Sequence, residues 1–394
     1  MKTFDFVFYI SNYWERYHRK AFVLKLARYL KERGGKILLV EPPISPVHSL
    51  FFRPHRLLNL NRNRIRQIGQ NLYVYVPFAP FHFYLGGFHP VFAAANRWML
   101  KKQLLRTLTE LNFRNHRILW VFRPECVQYL GTAGEQLVVY DDYDDHLITP
   151  EGKSLPRNVQ LEKILLEHSH YVFCTTSKLL QQAKQYNPNS FLIPNAADVE
   201  NFQKVWQADI PIDPQIQKLP RPIIGYHGNV RSWIDFELVE HLLQNTTYTF
   251  VFAGGVQKDI ASKVERLKKY RNFVHTGYIP FERLPSVIKG FDVSFIPFKL
   301  SRFNESVIPY KLFEALASGK PVVAAALPDI EQFWGKWCHT YRTPDEAIAE
   351  IQQALSPQRK LYPVEQPEKL HALSWDERME SIFRLLDESS EPEK

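Results

Sequence analysis

The sequence predicts an α/β protein made of two Rossmann-like domains facing a cleft. Three observations carry that reading. Short continuous apolar runs alternate with helical patterns almost from end to end. Pro211, Pro214, Pro220 and Pro222 then interrupt the alternation. After them it starts afresh. Continuous apolar runs suit strands buried on both faces, as in a parallel sheet, and such sheets bind ligands at the carboxyl ends of their strands.

In chain order, residues 5–10 read as a first strand. A helix over 17–33 follows, with Val23, Leu26, Ala27 and Leu30 on one face and Gly34-Gly35 as its stop. Further strands are expected at 36–40, 72–76, 118–122, 136–140, 171–174 and 190–193. Residues 208–222 have linker composition. The second series of strands falls at 222–226, 248–253, 273–275, 293–297 and 321–325, and a last helix runs over 374–386. The expected organisation is therefore a domain over 1–207, a linker over 208–222, a second domain over 223–372, and a terminal helix over 373–394 packing back on the first domain.

Composition narrows the class. With 45% hydrophobic and 23% charged residues the chain has the balance of a globular protein. It offers no uninterrupted apolar stretch long enough to span a membrane. Its start reads as a strand and not as a signal peptide. Cys126, Cys174 and Cys338 are widely spaced and odd in number, which argues against a disulfide framework or a zinc site and for a reducing cytoplasm. Charge is unevenly spread: residues 1–137 hold 21 Lys+Arg against 7 Asp+Glu, a net of +14. That half suits a polyanionic partner. Arg53, Arg56, Arg62, Arg64 and Arg66 lie among apolar residues, and Phe78, Phe81, Phe83, Tyr84 and Phe88 follow. Basic residues beside aromatics fit an anionic membrane face, so peripheral contact with the inner face of the cell membrane is expected. A buried aromatic cluster is the competing reading. No basic-aromatic motif of a nucleic-acid reader is present, and no nucleic acid is expected.

The most specific segment is 304–323, NESVIPYKLFEALASGKPVV. Pro309 suits a first helical position and Gly319 the residue past the end, giving a helix of about nine residues. Its N-terminus would present free N–H groups to a diphosphate. Lys311 lies in that first turn, where a cation gains nothing from the helix dipole and is better explained as a phosphate ligand. Glu314, one turn on, suits the diol of a ribose. A solvated amphipathic helix is the bland alternative. However, this stretch resembles the nucleotide-binding helix of GT-B glycosyltransferases, P-x-K-x-x-E-x-x-A-x-G-x-P-V-V, at Pro309, Lys311, Glu314, Ala317, Gly319, Pro321, Val322 and Val323. Residues 225–235 (GYHGNVRSWID) are similar to the first loop of the same family's donor domain, and 274–298 to the loop-helix-strand that precedes this helix, where Gly277-Tyr278 would border the base. The resemblance implies a donor site formed by Gly228, Asn229, Arg231, Gly277, Tyr278, Pro309, Tyr310, Lys311 and Glu314. It also implies a nucleotide-sugar donor, a glycan or lipid-linked acceptor, and no metal or other cofactor.

The chain departs from many retaining members at Ser306, where they carry a glutamate, and in lacking a lysine in the donor domain's first helix, for which Arg231 is the nearest cation. It resembles more closely the teichuronic-acid-biosynthesis-like branch of polysaccharide assembly, through Trp14, Arg19 and the segment Val139, Tyr140, Asp141, Asp144, Asp145. That likeness implies acceptor contacts at Trp14 and Arg19. The carboxylates of DDYDDH follow a strand, and Asp141 or Asp144 is read as a general base. Strand-end capping and an Asp142–Asp144 metal pair are the other readings. His227 and His146 are candidate donor contacts. The functional expectation is hexosyl transfer in polysaccharide biosynthesis. A nucleotide-sugar epimerase on the same fold and a non-catalytic transferase-like subunit are the alternatives.

Overall fold

The computed structural model describes residues 3–17, 19–45, 64–81 and 90–388. The chain divides into two compact units, one of residues 1–147, 154–193 and 379–394, the other of 148–153 and 194–378.

The first unit is built on an eight-stranded sheet. Its strands are β1 (Asp5–Tyr9), β2 (Ile37–Val40), β3 (Ile65–Gln67), β4 (Leu72–Tyr75), β5 (Arg117–Val121), β6 (Leu137–Asp142), β7 (Tyr171–Cys174) and β8 (Ser190–Leu192). Their order is β3-β4-β2-β1-β5-β6-β7-β8, and only the β3–β4 pair is antiparallel. Helices α1 (Lys20–Lys31), α2 (Pro90–Glu110), α3 (Pro156–His168) and α4 (Ser177–Ala183) connect the strands. Every residue of β1, β2 and β5 is buried, as their unbroken apolar runs require. Val7, Leu119 and Val121 pack with Leu100, Leu104 and Leu108 of α2. Phe6 and Phe8 meet Phe22 and Trp120 instead.

The second unit holds a six-stranded, wholly parallel sheet: β9 (Ile223–His227), β10 (Thr249–Ala253), β11 (Phe273–Gly277), β12 (Val293–Ile296), β13 (Val322–Ala325) and β14 (His339–Tyr341). Their order is β11-β10-β9-β12-β13-β14. Its helices are α5 (Val199–Phe202), α6 (Pro214–Gln217), α7 (Phe236–Asn245), α8 (Ala261–Leu267), α9 (Leu284–Lys289), α10 (Tyr310–Ala317), α11 (Pro344–Leu355) and α12 (Pro367–Ala372), and α13 (Trp375–Glu388) starts here and passes into the first unit at Met379. From β9 the chain winds outward through β10, and from β12 through β13 in the opposite direction. The crevice between β9 and β12 is therefore the topological switch point at which α/β sheets bind ligands.

The proline-rich stretch read as a linker is packed inside the second unit. Asp213 is buried, caps α6 by accepting from the Gln215 N–H, and pairs with Arg283 at 2.7 Å. Ile216 is buried in the same core. The chain enters this unit earlier, at Pro194. There Asn195 Nδ2 donates to the Ile308 carbonyl, and Phe202 and Val205 join the core. Proline content alone does not separate a linker from a capped, buried turn, since both need extended residues before proline. At the other end, Phe383 of α13 lies against Phe6 and Tyr29 of the first unit.

Candidate active site

In the second unit the switch point is lined by the loop after β9 and the start of α10. Gly228 has φ of +102°, and a Cβ on it would come 2.7 Å from Lys311 Cε. A Cβ on Gly254 would meet the Gly228 carbonyl oxygen at 2.0 Å. Both glycines allow backbone and lysine to close on one another where any side chain would collide. The loop is held by Gly228 N donating to Ala253 O and Val230 N to Gly255 O, each at 2.8 Å.

The helix begins one residue later than the sequence suggests. Pro309 has extended geometry and is the N-cap of α10, its carbonyl accepting from Leu312 N. It has no side chain to cap the first turn, so α10 starts without a side-chain acceptor over its N–H groups. Asn195 fixes the Ile308 carbonyl just before this turn. Lys311 is folded back over two aromatic faces, its Nζ 5.4 Å from the Tyr226 ring centroid and 5.9 Å from that of Phe298. Burial lowers its pKa to about 8, against the opposing pull of Glu314. Glu314 Oε2 takes a hydrogen bond from Nε2 of buried His227 at 2.8 Å. One carboxylate oxygen is thus tied to the strand end.

The structure therefore gathers Gly228, Lys311, Glu314 and His227 at one point. Arg231 is exposed, with its guanidinium 5.1 Å over Trp233. Asn229 is exposed, and its carbonyl accepts from the Tyr226 hydroxyl. Tyr310 is half-buried with its ring 6.0 Å from that of Trp375. Gly277, with φ of +78°, ends β11, and Tyr278, 75% exposed, follows it, two strands from β9. Tyr226 and Phe298 as walls around the lysine were not legible in sequence, because both read as ordinary strand apolars.

The first unit departs from expectation at its carboxylates. Asp141 is buried on β6, ion-paired to Arg19 Nη2 at 2.8 Å, and it accepts from Trp120 Nε1. Arg19 is buried too, ringed by Phe22, Phe122 and Tyr143. The two expected site residues thus neutralise one another: Asp141 is a counter-ion and not a base open to a hydroxyl, and Arg19 is closed to an acceptor. Asp142 accepts from Tyr140, whose hydroxyl also reaches Glu162 at 2.8 Å. Asp144 is half-buried in the loop beyond β6. His146 bonds to the Phe122 carbonyl, and burial lowers its pKa to about 4, keeping the ring neutral. Trp14 is half-buried, with its N–H on Glu41 Oε1. Sequence reasoning also missed a cavity of about 340 Å³ at the ends of β1, β2 and β5. It is lined by Tyr9, Ser11, Glu41, Phe81, Arg123 and Tyr129, among others.

Residues 221–356 match the family described as glycosyl transferases group 1. The match is confined to those residues, all within the second unit. The residues that the resemblance places at a donor site, from Gly228 to Glu314, all lie within that match. Residues 1–394 include a stretch of 157 that is 29% identical to the teichuronic acid biosynthesis glycosyltransferase TuaH of Bacillus subtilis (strain 168), covering 40% of this chain and 39% of that protein. The match thus reaches well under half of the relative's length. Among solved structures, the sucrose-phosphate synthase of Thermosynechococcus elongatus superposes with a TM-score of 0.67 at 14% identity, over 98% of this chain and 100% of that one. HepE of Anabaena, in complex with UDP and glucose, gives 0.63 at 14% identity over the same shares. The two α/β units accordingly have the GT-B fold.

Proposed function

We propose that the chain transfers a hexosyl group from a UDP- or GDP-sugar to a glycan or lipid-linked acceptor in polysaccharide assembly. The carrying observation is the cluster of Gly228, Lys311, Glu314 and His227 at the β9–β12 switch point, within the residues that match the group 1 family. The diphosphate would lie on the uncapped first turn of α10 with Lys311 as its counter-charge. Glu314, held by His227, would take the ribose diol on its remaining oxygen, and Tyr278 would offer an exposed ring to the base. Catalysis is then mainly positioning, with Lys311, the helix end and Arg231 stabilising the departing diphosphate. That charge is supplied by protein groups, so the reaction needs no metal, and turnover should persist in excess EDTA.

Asp144 is the acceptor base in this reading, since Asp141 is committed to Arg19. Its role belongs to the first unit, as does the cavity beside Tyr129, which would take the acceptor together with Trp14. An anionic membrane surface is the proposed source of a lipid-linked acceptor, and the inner face of the cell membrane the proposed location. Calorimetry with UDP and GDP, followed by hydrolysis assays on their sugars, tests the proposal. Absence of binding by either nucleotide would overturn it.

A further inference from the structure

The basic balance of residues 1–137 needs a surface, and among the described residues helix α2 offers one. Arg53, Arg56 and Arg62 lie outside the described residues, as do Phe83, Tyr84 and Phe88. Arg66 is engaged by Glu15 at 2.6 Å and Glu41 at 3.0 Å. Phe78 and Phe81 are half-buried, Phe81 with its ring 4.4 Å from that of Phe92.

Helix α2 combines the two chemistries on one stripe. Its inner face carries Asn96, Leu100, Leu104, Thr107 and Leu108, all buried. Opposite them stands Trp98, 63% exposed, with Lys102 Nζ 5.3 Å from its ring centroid. Lys101 and Lys102 follow Trp98 at the three- and four-residue spacings that share a helix face, and both are exposed. Arg106 extends the stripe, its side chain 82% exposed. The helix holds four basic residues and one acidic one, Glu110 at its end, which pairs with Arg106 at 2.8 Å. An indole has an apolar body and a polar edge, which favours the level of lipid headgroups, and lysines beside it face phosphate.

We infer that α2 docks on an anionic lipid surface through Trp98, Lys101, Lys102 and Arg106. Charge complementarity selects this occupant, because Lys101, Lys102 and Arg106 along one face oppose the approach of the same face of a second copy. The inference deepens the proposed transfer, and rests on it only for the lipid-linked acceptor. Phe81, which lines the cavity of the first unit, stacks on Phe92 near the start of α2, so docking would bring that cavity close to the lipid.

The test is co-sedimentation of the full chain with vesicles of phosphatidylglycerol and phosphatidylcholine, against phosphatidylcholine alone. Wild type should bind only the anionic vesicles, and salt should release it. The double variant Lys101→Gln, Lys102→Gln should lower the partition constant at least tenfold, as expected for about 1 kcal/mol per basic residue near the surface, and Trp98→Ser should lower it through loss of the indole at the headgroup level. UDP affinity, measured on the same preparations, should not change in either. Wild type ignoring anionic vesicles, or variants binding as wild type does, would overturn the inference while leaving the donor reading standing. A wild-type dimer in light scattering that Trp98→Ser splits, without vesicle binding, would make the stripe a contact between copies and equally overturn it. Normal vesicle binding with no affinity for UDP or GDP would remove the donor reading alone.

Discussion

Lys311 is placed where its own surroundings oppose its charge: at the positive end of α10, half-buried over two rings, with a pKa drawn down to about 8. An anion bound there restores what burial removes. Binding of a nucleoside diphosphate should raise the lysine's pKa and take up protons near pH 8. Affinity should fall as pH rises through about 8, where the free protein loses the cation. Calorimetry in buffers of different ionisation enthalpy measures both effects, and pH-independent binding would remove Lys311 from the phosphate site. Glu314→Ala should weaken UDP binding by roughly 1–3 kcal/mol, the cost of a lost charge-assisted hydrogen bond. His227→Phe keeps an aromatic shape but frees the carboxylate from its 2.8 Å partner. It should weaken UDP binding by less than the Glu314 variant does, because the carboxylate remains and only its orientation is lost.

At the level of elements, the loop after β9 depends on a backbone that a side chain would spoil. Gly228→Ala must adopt φ near +102° and crowd Lys311 Cε, so it should cost on the order of 1–3 kcal/mol and displace the lysine. Reduced UDP affinity with only a modest fall in Tm is the expected outcome. The contact between β6 and α3 makes a different prediction. Tyr140 joins Asp142 to Glu162, and burial raises the Glu162 pKa to about 7 and that of Asp142 well above the carboxylate range. A carboxyl whose folded pKa is raised contributes stability that is fully present below its unfolded pKa and lost as pH rises through the folded one. The first unit should therefore lose stability between about pH 4.5 and 7. Glu162→Gln should flatten that slope and raise Tm at pH 8 by several degrees, as measured by thermal melts across pH.

For the whole molecule, chain order and compact units do not coincide. The chain leaves the first unit at Ile193 and returns to it at Met379, within α13. The returning turns bury Met379, Ile382, Phe383 and Leu386. Phe383→Ala removes a ring packed on Phe6 and Tyr29 and should cost about 3–5 kcal/mol. Urea unfolding followed separately for the two units would show whether the loss falls on the first, as expected.

What the sequence determined by itself is what local chemistry encodes. Unbroken apolar runs specify strands buried on both faces, so most strands were legible. The short edge strands β3 and β14 were not, having too few residues to show a pattern. The helix bearing Lys311 and Glu314 was legible because a proline at its start and a glycine just beyond its end mark its bounds in the sequence. The tertiary structure decided what depends on partners distant in the chain. Asp141 and Arg19, separated by 122 residues, appear in sequence as a candidate base and a candidate acceptor contact, and only folding makes them a buried pair. His227 meets Glu314 across 87 residues. Trp98 reads as one more apolar residue until the packing of Leu100, Leu104 and Leu108 turns the opposite face of α2 outward. A residue's type sets which interactions it can make, but burial and charge neutralisation depend on neighbours that only the folded chain supplies.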